Sequence, residues 1–331
     1  MILATPPVLS IVATLYRSAA YVEEFCRRAA DTARELVGDE FEIILVNDGS
    51  PDDSLDIAIN LIRHSPEIVL VDLSRNFGHH KAMMTGLQHA RGNKIFLIDS
   101  DLEEEPEWLI PFAAQMGKQG CDVVYGVQNT RKGGPFERWT GHWFYSIFNA
   151  LSGLDLPRNI VVARLMSRRY VDALLRHTER EVFMAGLWQL TGFDQRSHTV
   201  VKHNTSETTY SLRRRVAMLV NSITSFSNRP LHAIFYVGAI ISLVDLIYIL
   251  VIFCNWLVWD NQVEGWTSLI ASVWLLGGLI ISFIGVIGIY LATMFSEIKS
   301  RPYTIVRAIH GLDSKIYDAT DSSNDLDTNS P

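Results

Sequence analysis

Short, almost uninterrupted apolar runs alternate with amphipathic stretches through the first third of the chain, a βαβ rhythm. The runs at 9–15, 41–47, 68–74, 94–99 and 122–127 are rich in Val, Ile and Leu. That content predicts strands covered on both faces, hence an α/β domain with a mainly parallel sheet. Between them, 20–36, 53–63, 80–90 and 107–120 predict helices. In the first, Val22, Phe25, Cys26, Ala29 and Ala33 recur at helical spacing, and Pro106 stands where a helix start tolerates a missing N–H. Beyond Gly126 the rhythm changes, and a basic loop from Arg131 to Arg138 leads into an aromatic stretch over 139–148. An acceptor-binding half is expected to begin there.

Two later segments are apolar over a much greater length, 231–257 and 268–294. Each can cross a hydrocarbon core of about 30 Å as a helix. Arg213, Arg214, Arg215 and Arg229 precede the first, and Lys299, Arg301 and Arg307 follow the second, with only Asp260 and Glu264 between. By the positive-inside rule both termini and the soluble domain face the cytoplasm at the inner membrane. Val216, Leu219, Val220, Ile223 and Phe226 share one helical face behind three arginines, the pattern of a helix lying on the bilayer surface.

The organisation predicted is a soluble domain over 1–210, with a donor half over 1–127 and an acceptor half over 128–210. An amphipathic juxtamembrane helix over 211–230 follows. Spans over 231–258 and 268–294 flank an external turn over 259–267, and a cytoplasmic tail over 295–331 becomes disordered at its end. Asp245 sits near the middle of the first span, where a carboxylate costs about 2.5–3.5 kcal/mol on insertion scales. The expectation is a contact between subunits of a homo-oligomer.

Composition narrows the function. A formal net charge of −7 over 331 residues argues against nucleic acid as a partner. The three cysteines, Cys26, Cys121 and Cys254, are scattered, which argues against a disulfide framework and a zinc site.

The chemistry is expected at strand ends, where open α/β sheets bind ligands. Asp99-Ser100-Asp101 follows the apolar run Ile95–Ile98, and such carboxylates can share one hard cation that in turn holds nucleotide phosphates. Glu103 is a further candidate ligand, although the acidic run through Glu107 also suits a helix start. Asp48, at the end of the second apolar run, is placed to accept hydrogen bonds from a nucleobase or ribose, and Asp52 or Asp53 to cap the next helix. The basic segment Arg75 to Lys81 suits a diphosphate, with His79 and His80 read as ordinary loop histidines. A membrane-anchored nucleotide-sugar binder suggests an acceptor that itself lives in the membrane, a lipid phosphate. Arg131, Arg138, His203 and Arg213 to Arg215 are the candidates for its basic clamp, each equally readable as a surface charge or headgroup contact.

Taken in order, several stretches resemble glycosyltransferase family 2, and within it the polyprenyl-phosphate hexosyltransferases, such as bactoprenol glucosyltransferases and dolichyl-phosphate mannose synthases. They include Val46-Asn47-Asp48-Gly49-Ser50, Leu73 to His79, Asp99-Ser100-Asp101-Leu102 with Pro106-Glu107, Arg164 to Arg168, Tyr210-Ser211-Leu212, and Arg301-Pro302. The resemblance implies a GT-A fold and inverting transfer of a hexose to a polyprenyl phosphate. Mg²⁺ or Mn²⁺ would be held by Asp99, Asp101 and residue 103. UDP-glucose is the donor expected, with GDP-mannose and UDP-linked amino sugars as alternatives. Tyr16, Asp48, Arg75, Lys81 and Ser100 are the expected donor contacts. Asp99, Asp101 and Arg131 are the expected catalytic groups, with Asp155 as a substitute base. Thr14 and Ser18 replace the usual Pro and Glu of the first loop, and Val161-Val162-Ala163 stands where Gly-Asp-Phe is common. That departure keeps a second class of function open, a membrane-anchored nucleotide-sugar sensor without catalysis. A processive polysaccharide synthase would need more spans and a late Gln-x-x-Arg-Trp motif, whereas Arg138-Trp139 comes too early.

Overall fold

The computed structural model of the protein describes residues 6–128, 159–179, 182–202, 227, 229–259 and 265–311. The sheet core is built from β1 (Leu9–Leu15), β2 (Phe41–Asn47), β3 (Ile68–Leu73) and β4 (Lys94–Leu97). Every residue of the first three strands is buried, as their unbroken apolar content requires. α1 (Val22–Val37), α2 (Ser54–Ile62), α3 (His79–His89) and α4 (Leu109–Gln119) connect or follow them. Ile11, Ile43 and Phe96 share a core with Phe25 and Ala29 of α1 and with Leu109 and Phe112 of α4. α3 covers the other face so closely that a Cβ on Gly86 would lie 2.5 Å from Val12 Cγ1 and 2.9 Å from Val46 Cγ2.

Predicted and observed elements agree in kind and differ at their ends. β4 stops at Leu97 rather than Asp99, because after Ile98 N–H bonds Val12 O at 3.0 Å the chain leaves the ladder. The helix expected from 107 begins as a 3₁₀ turn over Pro106–Trp108 and becomes α4 at Leu109. Gly120, expected inside it, is its left-handed cap at φ 65°.

The sheet is mixed, though mainly parallel. β5 (Val123–Gln128), β6 (Ile160–Ser167), β7 (Gln195–Val200) and β8 (Val306–His310) complete the order β7-β5-β6-β4-β1-β2-β3-β8. β6 runs antiparallel between β4 and β5, and β8 antiparallel beside β3. β7 is an edge strand with a polar sequence, Gln-Arg-Ser-His-Thr-Val, which carries no apolar run to announce it. Two short helices, α5 (Arg168–Leu174) and α6 (Met184–Thr191), also went unforeseen.

The chain divides into two compact units, and the described residues 301–311 belong to the first with the sheet. The second contains α7 (Arg229–Trp259) and α8 (Trp266–Ile298). Within α8, the 27 residues Ser272–Ile298 are long and apolar enough to cross a membrane, and Trp274, Leu275 and Ile281 are exposed along it. Within this unit Tyr290 donates its hydroxyl to Ser227 O at 2.6 Å. Most of the predicted amphipathic helix, and the side chain of Asp245, lie outside what the structure describes.

Candidate active site

Strand order sets the position of the site. From β1 the sheet grows outward through β2 and β3, then β4 returns to the opposite side of β1. A crevice for a ligand opens at such a reversal, beyond the carboxyl ends of the strands. The side chains gathered there are Thr14 of β1, Asp48 after β2, His79 at the start of α3, and Asp99 after β4.

His79 joins two of these strand ends. Its Nε2 lies 3.2 Å from Asp99 Oδ1, and its Nδ1 lies 3.0 Å from Thr14 Oγ1. Burial alone would lower the imidazole pKa, but Asp99 more than offsets it and the net direction is upward. Burial likewise pushes Asp99 up, and the positive charge of His79, with Lys202 behind it, brings it below the usual carboxylate range. Asp101 is raised by burial and by the neighbouring Asp99 charge. The histidines are therefore not ordinary loop residues: both open a helix, His79 pairs with the aspartate couplet, and His80 Nδ1 lies 3.1 Å from Val182 O. Ser100 is buried, donating to Thr14 O at 2.7 Å and meeting Ser18 Oγ at 3.1 Å. Thr14 and Ser18, the two departures in the first loop, thus brace the aspartate loop.

Asp48 holds two loops together. Its carboxylate accepts the Phe77 and Gly78 backbone N–H groups at 2.7 and 3.0 Å. Burial still raises its pKa, and those two bonds oppose the rise. The expected donor contacts Tyr16 and Arg75 are exposed nearby in sequence to these loops, and Lys81 is half-buried in the first turn of α3. Arg75 stacks over the Phe77 ring, 4.1 Å from its centroid. The cap of α2 falls to Asp52, since Asp53 occupies the N-cap position with no side-chain bond. Burial opposes its charge, but hydrogen bonds from Ser50, Ser54 and Ala19 N–H hold Asp52 down to about 2. A depressed pKa stabilises the fold above the unfolded value of 3.8 and ceases to do so as pH falls toward 2. Asp52→Ala is expected to cost about 1 kcal/mol at neutral pH, with the difference from the parent protein vanishing through that acid window in thermal unfolding.

The acidic loop contains a second layer that sequence reasoning missed. Glu104 is fully buried and accepts the Val162 and Ala163 backbone N–H groups at 3.1 and 2.7 Å. Burial first, then the Asp99 charge, pushes it up to about 7. Lys202, just past β7, places Nζ 3.2 Å from Glu103 Oε2 and 3.5 Å from Glu104 Oε1. Glu103, named as a metal ligand by the sequence, thus faces this lysine. Among the described residues no three His, Cys, Asp or Glu side chains form a ready-made metal site. Nothing local announces Lys202. Glu104 was visible only as one of a run of glutamates, and its partner strand β6 had not been foreseen. Arg131, Arg138, Asp155, His203 and Arg213 to Arg215 lie outside the described residues.

The chain can do what strand-end carboxylates, a paired imidazole and an ammonium group allow together: bind an anionic nucleotide through a cation and orient its leaving group. Comparison with known proteins narrows this. Residues 10–175 match the model of the family described as glycosyl transferase family 2. A Mycobacterium tuberculosis protein named among glycosyltransferases is 47% identical over 305 residues, 92% of this chain and 89% of that protein. A prophage-derived bactoprenol glucosyl transferase of Shigella flexneri is 30% identical over 308 residues, 91% of this chain and 98% of that protein. Among solved structures, Staphylococcus aureus TarS 1–349 in complex with UDP-GlcNAc aligns at 17% identity and a TM-score of 0.44, covering 66% of this chain and 65% of that one. With the family model spanning half the sequence and relatives matching along nearly all of it, the chain belongs to glycosyltransferase family 2.

Proposed function

We propose that the protein transfers a hexose, glucose from UDP-glucose, with inversion onto a polyprenyl phosphate at the cytoplasmic face of the inner membrane. The observation that carries this reading is the length of the likeness to bactoprenol glucosyl transferases. It spans 91% of this chain and therefore takes in the apolar C-terminal unit as well as the sheet domain. In the reaction, an oxygen of the acceptor phosphate attacks the anomeric carbon as the bond to the UDP oxygen breaks. A phosphate monoester with a second pKa near 6 is mostly dianionic at neutral pH. The attacking oxygen therefore has no proton to lose, and catalysis reduces to positioning and charge stabilisation.

Asp99 and Asp101 would hold Mg²⁺ or Mn²⁺. The donor set fits a hard cation: both side chains are carboxylates, and Asp99 Oδ1 is a buried acceptor whose one near neighbour among the described residues is the His79 imidazole at 3.2 Å, without hydrogen-bond alignment. When bound there, such a cation would supply charge stabilisation for the departing diphosphate. Ser100 and Glu104 fix the loop, Asp48 orders the two donor loops, and Lys202 offsets the surplus negative charge. Arg131, Arg138, His203 and Arg213 to Arg215 remain the proposed clamp for the acceptor phosphate.

Chain topology supports two spans. β1 to β7 precede α7, and β8 follows α8 yet joins the same sheet. A chain that leaves and re-enters one folded unit must cross any intervening membrane an even number of times. If α8 crosses, a second crossing is needed between β7 and β8, and α7 is the helix to which we assign it.

The test is a donor panel with purified protein, undecaprenyl phosphate and Mg²⁺ or Mn²⁺. UDP-glucose is expected to give lipid-linked glucose, while GDP-mannose and UDP-linked amino sugars give far less. Binding of UDP-glucose with no lipid product from any donor would instead identify a sensor.

A further inference from the structure

Arg307 counts in the sequence only as a positive charge behind the second apolar segment. In the fold it stands on β8, and its guanidinium reaches the buried Asp72 of β3. Nε lies 2.9 Å from Oδ2, and Nη2 lies 3.3 Å from Oδ1. Asp72 Oδ1 also accepts the Asn47 side-chain N–H at 2.8 Å, and Asn47 Oδ1 in turn accepts the Ser50 backbone N–H at 3.1 Å. An unbroken polar relay therefore runs from Arg307 to the turn that carries Asp48 and Gly49. Neighbouring contacts reinforce it. Ser74 N–H donates to Ile305 O at 2.9 Å, Arg307 Nη2 donates to Leu73 O at 3.1 Å, and the Thr85 and Thr304 hydroxyls meet at 2.8 Å. The segment from Thr304 to Arg307, which leads into β8, thus braces the loop after β3 directly and the loop after β2 through the relay.

We propose that Arg307 is a positioning residue of the donor site: through Asp72 and Asn47 it sets the 47–50 turn, so nucleotide-sugar binding depends on the segment that re-enters the domain after α8. Removing the guanidinium leaves Asp72 a buried carboxylate whose remaining side-chain partner among the described residues is the Asn47 amide. The amide is then free to turn with it, and Ser50 loses a fixed acceptor. This inference rests on the proposed donor site, and its test separates the two.

Full-length protein in detergent is compared as parent, Arg307→Ala, Arg307→Lys and Ile309→Ala. Ile309 shares β8 and pairs with Val71, so its truncation weakens the strand while leaving the relay intact. Arg307→Ala is expected to weaken UDP-glucose binding about tenfold and to raise KM for donor with kcat at saturating donor little changed. Amide exchange should quicken over 47–52. Arg307→Lys is expected to recover part of the affinity, and Ile309→Ala to lower thermal stability without either effect. Unchanged exchange over 47–52 in Arg307→Ala, or an equal loss of affinity in Ile309→Ala at matched stability, overturns the relay. If the parent protein binds no nucleotide sugar, the proposed donor site fails, and the exchange comparison still decides whether Arg307 sets the turn.

Discussion

Replacing either Asp99 or Asp101 by alanine is expected to slow lipid-linked sugar formation by about a thousandfold while the domain stays folded. Both side chains stand beyond the end of β4, outside the ladder, so their loss removes no sheet hydrogen bond. Asp101 is held above its ordinary pKa by burial and by Asp99, so the folded domain carries it at an electrostatic cost. That arrangement is characteristic of a group kept for a ligand that reverses the sign of its surroundings. The measurement is product formation and UDP release at saturating donor, with circular dichroism to verify folding. Lipid product made at the parent rate by both variants would overturn the assignment of the couplet to the reaction. In the Asp99 variant His79 retains its contact with Thr14 Oγ1, so α3 should remain in place. Loss of activity there would come from the missing carboxylate rather than from a displaced helix.

Gly49→Ala is the second large effect. Gly49 adopts φ 60°, and a Cβ built on it would lie 2.4 Å from Asn76 N and 2.5 Å from Arg75 C. Those are backbone atoms, so no rotamer change relieves the overlap. The left-handed conformation costs roughly 1–2 kcal/mol for a residue with a Cβ, and the overlap adds about 1–3 kcal/mol. The sum is a large fraction of the ~5–15 kcal/mol that keeps a domain folded. Donor affinity should fall with it, because the two loops must separate to admit the methyl group. Gly120→Ala is the matched control. Gly120 has φ 65° with nothing within 4 Å of its would-be Cβ, so it should show only the conformational part. Equal shifts in melting temperature for the two variants would mean that the loops are not pressed together as described.

The legible part of this protein was the part written in local pattern. β1, β2 and β3 were foreseen because burial on both faces demands continuous Val, Ile and Leu, and the position of Asp99 and Asp101 just past a strand because they follow such a run, while their role stays a proposal. The apolar character of α8 was equally plain over its length. Most of the amphipathic stretch before α7 and all of the basic clamp belong to segments outside the described residues, so those expectations stand as proposals. Where the reading fell short, the cause was partnership at long range. His79 looks like any loop histidine until α3 begins one residue earlier than expected and Asp99 arrives beside it. Glu104 is one glutamate among several until β6 presents two backbone N–H groups to it. β7 is polar along nearly its whole length and lies at an edge, and β8 is five residues separated from the rest of the sheet by two long apolar helices.

By itself, then, the order of residues determined a parallel strand core with carboxylates at its tips and a long apolar segment behind it, since these follow from periodicity and burial within each short stretch. Only the tertiary structure decided which charges face one another: His79 with Asp99, Lys202 with Glu103 and Glu104, and Arg307 with Asp72. The physical reason is that an ion pair is specified by the separation of two groups in space. Arg307 and Asp72 stand 235 residues apart along the chain, and only the pairing of β8 with β3 brings them within reach.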